Sequence, residues 1–434
     1  MKTRPHVLIA NICTLCALLC SGCATYSPDP PDLRNNAEAW RRMSQEIAPT
    51  GRLTTLNWLQ MSALGLQLNP DLNKARLKFL NSKQAKQYAG LWEDPSLSLD
   101  AARYLTGVQY DRGVTLGLSI PVSGRTVLAR KVAEMYAESD YRELQAQEND
   151  YLMRLRTLSY LIQITHTKHE LICRRLEQAR EESASIAHLH EMGEAAAADL
   201  HEAEQRESDL IKEHQELESA HLDKHLELIA MLGLHPAVGR IEVAADLPHG
   251  VPAKAPTPTE EGLLAHPRLL SAMSAYRTTE AELKLEIRKQ YPDISLGPGL
   301  AHEEGNNKLK LEFGFTLPLW NRNREGIARA KGNRAMSRQS AIDQYHELVQ
   351  QAYSLGMRQE LVRKHCMAEY SRLTALQQAT EQQEKLYRLG EAALPALAST
   401  RHETYTRCLA YLDCLAELLE IQVALQFLAQ PIPS

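Results

Sequence analysis

Histidine and cysteine are the residues of this chain that could support metal chemistry, and their spacing decides whether they do. His221 and His225 are four residues apart on a predicted helix, so their imidazoles share a face and could bind one ion. The sequence around the pair is rich in Glu and Lys, which favours a solvated helix face instead. His188 and His190 are two residues apart and do not share a face. The sequence therefore predicts no metal site and no cofactor.

The residue pattern also gives no support for catalysis. The chain lacks an HExxH motif, a GxSxG motif, a Gly-rich phosphate-binding loop and the Cys/His spacing of a zinc site. Its formal net charge of −5 provides none of the basic character that nucleic-acid binding requires. We therefore expect neither an enzyme nor a nucleic-acid-binding protein.

The N-terminus has the pattern of a bacterial lipoprotein signal. Basic residues precede an apolar run over residues 7–19, which is too short to span a bilayer and is typical of a signal peptide. The run ends in the sequence LCSGC, which resembles a lipobox although Cys20 stands where Leu is usual. We expect a signal peptide over residues 1–22 and lipidation of Cys23. Ordinary cleavage that leaves Cys23 unmodified is the alternative.

The segment after the signal is predicted to be a lipid-anchored tether over residues 23–55. Three prolines favour an extended chain over residues 26–36. Ala24 stands where an Asp commonly retains lipoproteins at the inner membrane, so the outer membrane is favoured.

The cysteines beyond the signal do not form a recognisable disulfide framework. Four thiols besides Cys23 remain, and no CxxC motif is among them. Cys366 and Cys414 each lie 24 residues from Gly390, so they could face each other across a helical hairpin. The spacing leaves open whether they pair.

The rest of the chain is a duplication whose two halves align at an offset of 197 residues. Asn69-Pro70 aligns with His266-Pro267, Pro95 with Pro292, and the sequence GEAA occurs at 193–196 and again at 390–393. So many turn and breaker residues in one register indicate an internal repeat. We assign residues 56–247 to the first half, 248–258 to a Pro-rich linker and 259–430 to the second half.

Each half changes its hydrophobic period twice. A helical pattern over residues 56–92 gives way to alternating segments, which predict strands near 96–105 and 114–122 and, in the second half, near 294–302 and 308–319. Residues 125–192 contain neither Gly nor Pro, so they can form one helix about 100 Å long. Gly193 and Gly390 are predicted to turn the two long helices back. Gly326, Gly332 and Gly356 weaken the helical preference of the corresponding stretch in the second half.

The predicted strands have an apolar face and a face of small or polar residues, which is typical of membrane β-strands. A soluble hairpin packed on a core would explain the alternation equally well. Aromatic residues at the strand–helix junctions favour the membrane, since such rings lie well at a bilayer interface; they are Tyr88, Trp92, Tyr291 and Trp320. Four strands cannot close a barrel in lipid, so we expect subunits to share one, and three copies would give twelve strands.

Several motifs resemble those of the TolC-like outer-membrane efflux proteins, particularly the lipoprotein branch that serves RND pumps. They are NPDL at 69–72, AGLWEDPSL at 89–97, PVSGR at 121–125 and LYRLGE at 386–391. The resemblance implies a mainly α protein with membrane β-structure, forming a homotrimer with a 12-stranded β-barrel and a periplasmic α-helical barrel. It also implies a passive exit duct, anchored in outer-membrane lipid, that docks on a periplasmic adaptor (membrane fusion) protein and an inner-membrane RND or ABC transporter.

The same resemblance suggests where partners and substrate meet the chain. It assigns adaptor contact to two helical tips, formed by Met192, Gly193, Glu194, Leu389, Gly390 and Glu391. Asp199, just beyond the first tip, is a candidate for a constriction ring of three carboxylates, although a solvated helix face is the alternative. The rival class is a periplasmic coiled-coil adaptor or structural lipoprotein without a pore.

Overall fold

The computed structural model describes residues 26–103, 105, 110–244, 247–303 and 305–429, so the predicted signal peptide and Cys23 lie outside the described residues. The strands are β1 (Thr54–Asn57), β2 (Ser96–Arg103), β3 (Tyr110–Ile120), β4 (Ile241–Ala244), β5 (Ile294–Glu303) and β6 (Asn306–Phe315). The helices are α1 (Leu33–Ile47), α2 (Trp58–Leu68), α3 (Pro70–Tyr88), α4 (Arg125–Glu191), α5 (Ala197–Met231), α6 (Glu260–Leu264), α7 (Pro267–Arg288), α8 (Arg324–Arg388) and α9 (Leu394–Ala429).

The segment predicted as an extended tether is folded from Leu33 onward, and the prediction is wrong there. The Trp40 indole N–H of α1 donates to the carbonyl of Gly233 at 2.8 Å, and the backbone N–H of His235 donates to the buried Ser44 hydroxyl at 2.9 Å. Strand β1 then pairs in parallel with β4. The prolines that suggested an extended chain all precede Leu33, so they say nothing about this docked part.

The helix predicted over residues 56–92 is interrupted at Asn69, which caps α3. Its side-chain oxygen accepts the backbone N–H groups of Asp71 and Leu72 at 3.0 and 3.1 Å, and Pro70 occupies the first helical position, where its missing N–H costs nothing. In the second half the His266 imidazole caps α7 through the N–H of Arg268 at 3.3 Å.

The His266 cap is buried, with 3% of its surface exposed. Burial, helped by the positive Arg268 and opposed by Asp150, lowers the pKa of His266 to about 4. The imidazole is therefore neutral at pH 7 and can accept the capping hydrogen bond.

Two long helices dominate the molecule. Helix α4 has 67 residues and α8 has 65, so each spans about 100 Å. Helix α8 continues through Gly326, Gly332 and Gly356, because a penalty of about 1 kcal/mol per glycine does not outweigh packing along a long helix. Helices α5 and α9 return along only part of this length, with 35 and 36 residues. Helices α3 and α7 pack against the remaining part.

The hydrophobic core is a set of narrow seams between these helices rather than one thick centre. Leu155 and Leu228 lie in the largest cluster, where α4 meets α5, and Leu348 lies where α8 meets the C-terminal end of α9. Cys366 of α8 and Cys414 of α9, whose pairing the sequence left open, form a disulfide in a cluster with Leu418.

Four strands form one antiparallel sheet in the order β2-β3-β5-β6. Each half supplies one hairpin, inserted between a short helix and a long helix. Strand β3 begins at Tyr110 and β6 ends at Phe315, so both lie a few residues N-terminal to the predicted spans. None of the helices in the described part of the chain is long and apolar enough to cross a bilayer. The expected fold class, mainly helical with a small β component, is confirmed.

Candidate functional site

One face of the four-stranded sheet is apolar from edge to edge. The register places Leu99, Val114, Leu300 and Leu309 in one cross-strand row. The same face carries Leu97, Leu116, Leu118, Ile120, Ile294, Leu296, Leu311, Phe313 and Phe315. Leu309 is 84% exposed and Leu311 is 67% exposed. No soluble core covers this face within the described chain, so it is a large apolar surface that requires a partner or a lipid environment.

The opposite face carries small and charged side chains. One cross-strand row consists of Ser98, Thr115, Gly299 and Lys310, and the neighbouring rows contain Asp100, Gly113, Lys308 and Glu312. The ammonium group of Lys310 lies 2.5 Å from the Glu312 carboxylate. The two faces therefore differ as the lipid side and the water side of a membrane strand differ.

Polar and aromatic residues bound the apolar face at its two ends. Near the hairpin loops the same face ends in Arg103, Arg112, His302 and Asn307. The aromatic residues predicted for the bilayer interface lie at the opposite, helical end and are exposed; they are Tyr88, Trp92, Tyr291 and Trp320. Trp320 is 85% exposed.

The two outer strands leave the sheet open. Within the strands that the structure describes, β2 pairs only with β3 and β6 pairs only with β5. Each outer strand therefore presents a row of backbone N–H and C=O groups without strand partners. In lipid each such group costs several kcal/mol, so the sheet has the form of a barrel sector that needs further strands.

The predicted tip residues lie at the two turns between long and returning helices. Gly193 has φ +77° and Gly390 has φ +75°, in the left-handed region that favours glycine. The N–H of Glu194 donates to the carbonyl of Leu189 at 2.8 Å, and Glu391 repeats this bond with Leu386 at 2.9 Å. Both turns therefore have the same helix-ending motif.

Each tip also exposes an apolar side chain next to its glycine. Met192 is 54% exposed and Leu389 is 72% exposed, and the following Glu194 and Glu391 are exposed as well. The duplication thus repeats not only the turn but also an apolar–acidic pair of surface residues.

Asp199 lies in the first turn of α5, where its carboxylate accepts the backbone N–H of Ala196 at 3.3 Å. It is half-buried and acts as a helix cap in the single chain. A groove of about 860 Å³ begins beside it, between α5 and α9, and is lined mainly by polar residues, including His201, Arg206, Asp209, His402 and Glu403. Burial, together with the positive Arg175 and Arg206, lowers the pKa of His402.

A buried charge network below the tips was not predicted. Arg175 is 3% exposed and donates to the Glu182 carboxylate at 2.9 Å, while Arg401 donates to the other oxygen of Glu182 at 3.0 Å. Arg401 also donates to Glu384 at 2.8 Å. The network joins α4, α8 and α9. Only the seven-residue spacing of Arg175 and Glu182 signals it in the sequence.

The structure also brings His221, which the sequence predicted to lie on a solvated helix face, together with other histidines. His221 lies with His166 and His169 along the contact between α4 and α5, with ring centroids 5.7 and 6.0 Å apart respectively. Cys173 and His214 adjoin the same rings. The signal in the sequence was the spacing of His169 and Cys173, four residues apart.

No protein-family model matches the chain, and no curated protein matches it in sequence. Solved structures do match. The CmeC outer-membrane channel of Campylobacter jejuni is similar with a TM-score of 0.72 and 14% identity, over 86% of this chain and 85% of that one. CusC, whose structures concern folding and transmembrane channel formation, gives 0.71 and 13%, over 88% and 93%. The outer-membrane channel OprN gives 0.70 and 16%, over 94% and 98%. The chain therefore has the fold of the TolC-like outer-membrane efflux channels.

Proposed function

We propose that three copies of this chain form the outer-membrane exit duct of a tripartite efflux system. The observation that carries the proposal is the four-stranded sheet with one apolar face, one polar face and two open edges. Closing the edges in lipid requires strands from other copies. Eight strands from two copies would enclose an interior nearly filled by side chains, whereas twelve strands from three copies leave a passage.

The long helices supply the second part of the duct. At about 100 Å, α4 and α8 would extend the barrel through the periplasm, and the duplication provides six similar hairpins around a trimer axis. The tips at Gly193 and Gly390 would then contact a periplasmic adaptor, which links the duct to an RND or ABC transporter. Asp199 would add a ring of three carboxylates just inside. The duct performs no chemistry, since the energy comes from the inner-membrane pump.

The proposed orientation places the aromatic residues, such as Trp320, at the periplasmic boundary of the membrane and the hairpin loops outside the cell. Lipidation of Cys23 would add an anchor in the outer membrane. Helix α1 starts at Leu33, ten residue positions after Cys23, and ten positions can span at most about 35 Å. The docked helix α1 would therefore hold the body of the subunit close to the lipid surface.

The rival proposal is a coiled-coil adaptor or structural lipoprotein without a pore. Such a protein has no use for an exposed apolar sheet face of four strands, which in water is an aggregation hazard. The amphipathic sheet therefore favours the duct.

Conductance of the purified protein in planar bilayers tests the proposal, together with heat-sensitive trimer migration on a gel. Lys308→Glu with Lys310→Glu, on the polar face, should raise the preference of the pore for cations. Leu309→Ala, on the apolar face of the same strand, should leave ion selectivity unchanged. A folded protein that is strictly monomeric and does not conduct would favour the rival.

A further inference from the structure

The contact between α4 and α5 carries imidazoles beside its aliphatic side chains over about three helical turns. Leu228 closes it at one end, and Leu176 packs near Leu210 at the other. Between these ends α4 contributes His166, His169 and Cys173, and α5 contributes His214 and His221. A coiled-coil contact normally carries leucine-like side chains at such positions. Ile172 stays fully buried here and Leu217 packs against its cluster, so the stretch keeps an aliphatic contact and adds groups that bind metals beside it.

Three of these side chains converge on one point. His169, Cys173 and His214 each offer a ligand atom, and the three atoms lie within 4.8 Å of one another. The Cys173 sulfur is 3.9 Å from either ring nitrogen of His169. In a tetrahedral zinc site, Zn–N and Zn–S bonds of about 2.0 to 2.3 Å place ligand atoms roughly 3.5 Å apart. Small side-chain rotations would close the difference without moving either helix.

The cluster contains donor atoms that its hydrogen bonds leave unused. The His221 Nδ1 atom is buried and has no hydrogen-bond partner among the described residues. Cys173 is exposed, so an ion can enter from solvent.

The second half of the duplication has a disulfide between its two helices at the equivalent position. The repeat equivalent of His169 is Cys366, which is bonded to Cys414, and the equivalents of Cys173 and His214 are Tyr370 and Tyr411. The rings of Tyr370 and Tyr411 are in contact, with centroids 5.2 Å apart. The backbone at this level thus brings the two helices of a hairpin close enough to be bridged.

We propose that His169, Cys173 and His214 form a binding site for one late first-row transition-metal ion of the Zn²⁺ type, which bridges α4 and α5. Two neutral imidazoles and one thiolate are a donor set suited to such ions, and the fourth position stays open to water. On binding, the Cys173 thiol releases its proton to solvent and forms the metal–sulfur bond. The site does not depend on the proposed duct function.

Cobalt(II) is the probe for the test, because a cobalt–thiolate bond gives a charge-transfer absorption band that imidazole ligands alone do not give. The full-length protein, purified in detergent without a polyhistidine tag, should bind one Co²⁺ per chain with this band, and Zn²⁺ should displace it. Cys173→Ser should abolish the band. Removal of a residue that only supports a metal ligand typically weakens metal binding by about 10- to 100-fold. Because His214 is proposed to bind the ion directly, His214→Ala should weaken Co²⁺ binding by more than this.

Cys408→Ser is the matched control, since Cys408 is the other free thiol in the described chain, and His188→Ala is the control for a histidine outside the cluster. Both should bind Co²⁺ as the parent protein does. The exposed Cys173 tolerates serine, and the helical circular dichroism spectrum, which does not depend on trimer formation, verifies folding in each sample. No Co²⁺ binding by the parent protein, or a charge-transfer band that survives Cys173→Ser, would overturn the proposal.

Discussion

The proposal that the apolar sheet face contacts lipid can be tested most directly at Leu311, in the middle of β6. Leu311→Arg places a charge on the apolar face, whereas Glu312→Arg places the same side chain one residue away on the polar face. If the sheet lies in a bilayer, only the first substitution puts the guanidinium in lipid. The two variants share strand, residue type and neighbourhood, so they differ chiefly in the face that they alter.

The expected cost follows from the strand geometry. Strand β6 has 10 residues, which at about 3.4 Å each and a tilt of roughly 40° span a height of about 25 Å. This matches the apolar band of an outer-membrane barrel and places Leu311 near its midplane. An arginine there costs about 2–4 kcal/mol per subunit, or roughly 6–12 kcal/mol for three copies. On a soluble hairpin, a residue 67% exposed would change the free energy of unfolding by only about 0.5 kcal/mol.

Folding into lipid vesicles, followed in urea by the heat-sensitive trimer band, measures this cost. Leu311→Arg should shift the folding equilibrium per subunit by about 30-fold or more, since 1.4 kcal/mol corresponds to tenfold. Glu312→Arg should fold almost as the parent protein does, because an exposed ion pair contributes little. Equal, small effects of the two variants would refute the assignment of this face to lipid.

Three further predictions concern the tips, the buried cap and the disulfide. Gly193→Val with Gly390→Val strains both positive-φ turns by about 1–2 kcal/mol each. Trimers should still conduct but lose adaptor capture and efflux, and normal efflux would contradict the role of the tips. The unfolding free energy should fall by up to about 3 kcal/mol as pH drops from 6.5 to 4 in denaturant titrations, because unfolded but not native His266 takes up a proton. His266→Asn, which copies the cap of the first half, should remove the part of the slope that His266 contributes. Cys414→Ser opens a link across 48 residues and should destabilise the chain by up to about 4 kcal/mol in calorimetry, whereas Cys408→Ser should not.

Local signals in the sequence predict most of the fold. Alternation of apolar residues marks the four strands, and Gly193 and Gly390 mark the tips, because a period or a turn is decided by neighbouring residues. The docking of Trp40 on residues almost 200 positions away, by contrast, is a tertiary contact with no local pattern. The metal-binding cluster was missed for the same reason: His169 and His214 meet only once the register of α4 against α5 is fixed.

The two hairpins of the duplication are cross-linked at equivalent positions, but by different means. In the second hairpin the Cys366–Cys414 disulfide ties α8 to α9 permanently under oxidising conditions. In the first hairpin the proposed ion would tie α4 to α5 reversibly, so its occupancy would follow the concentration of free metal around the protein. The buried charges of Glu182 and Arg401 connect the two hairpins just below the tips. Without metal the first hairpin is held at this level by noncovalent packing alone, whereas the second keeps a covalent link, so we expect the first hairpin to be the more deformable of the two. A change of tip geometry would therefore begin in α4 and α5, with the disulfide-linked hairpin as the fixed support.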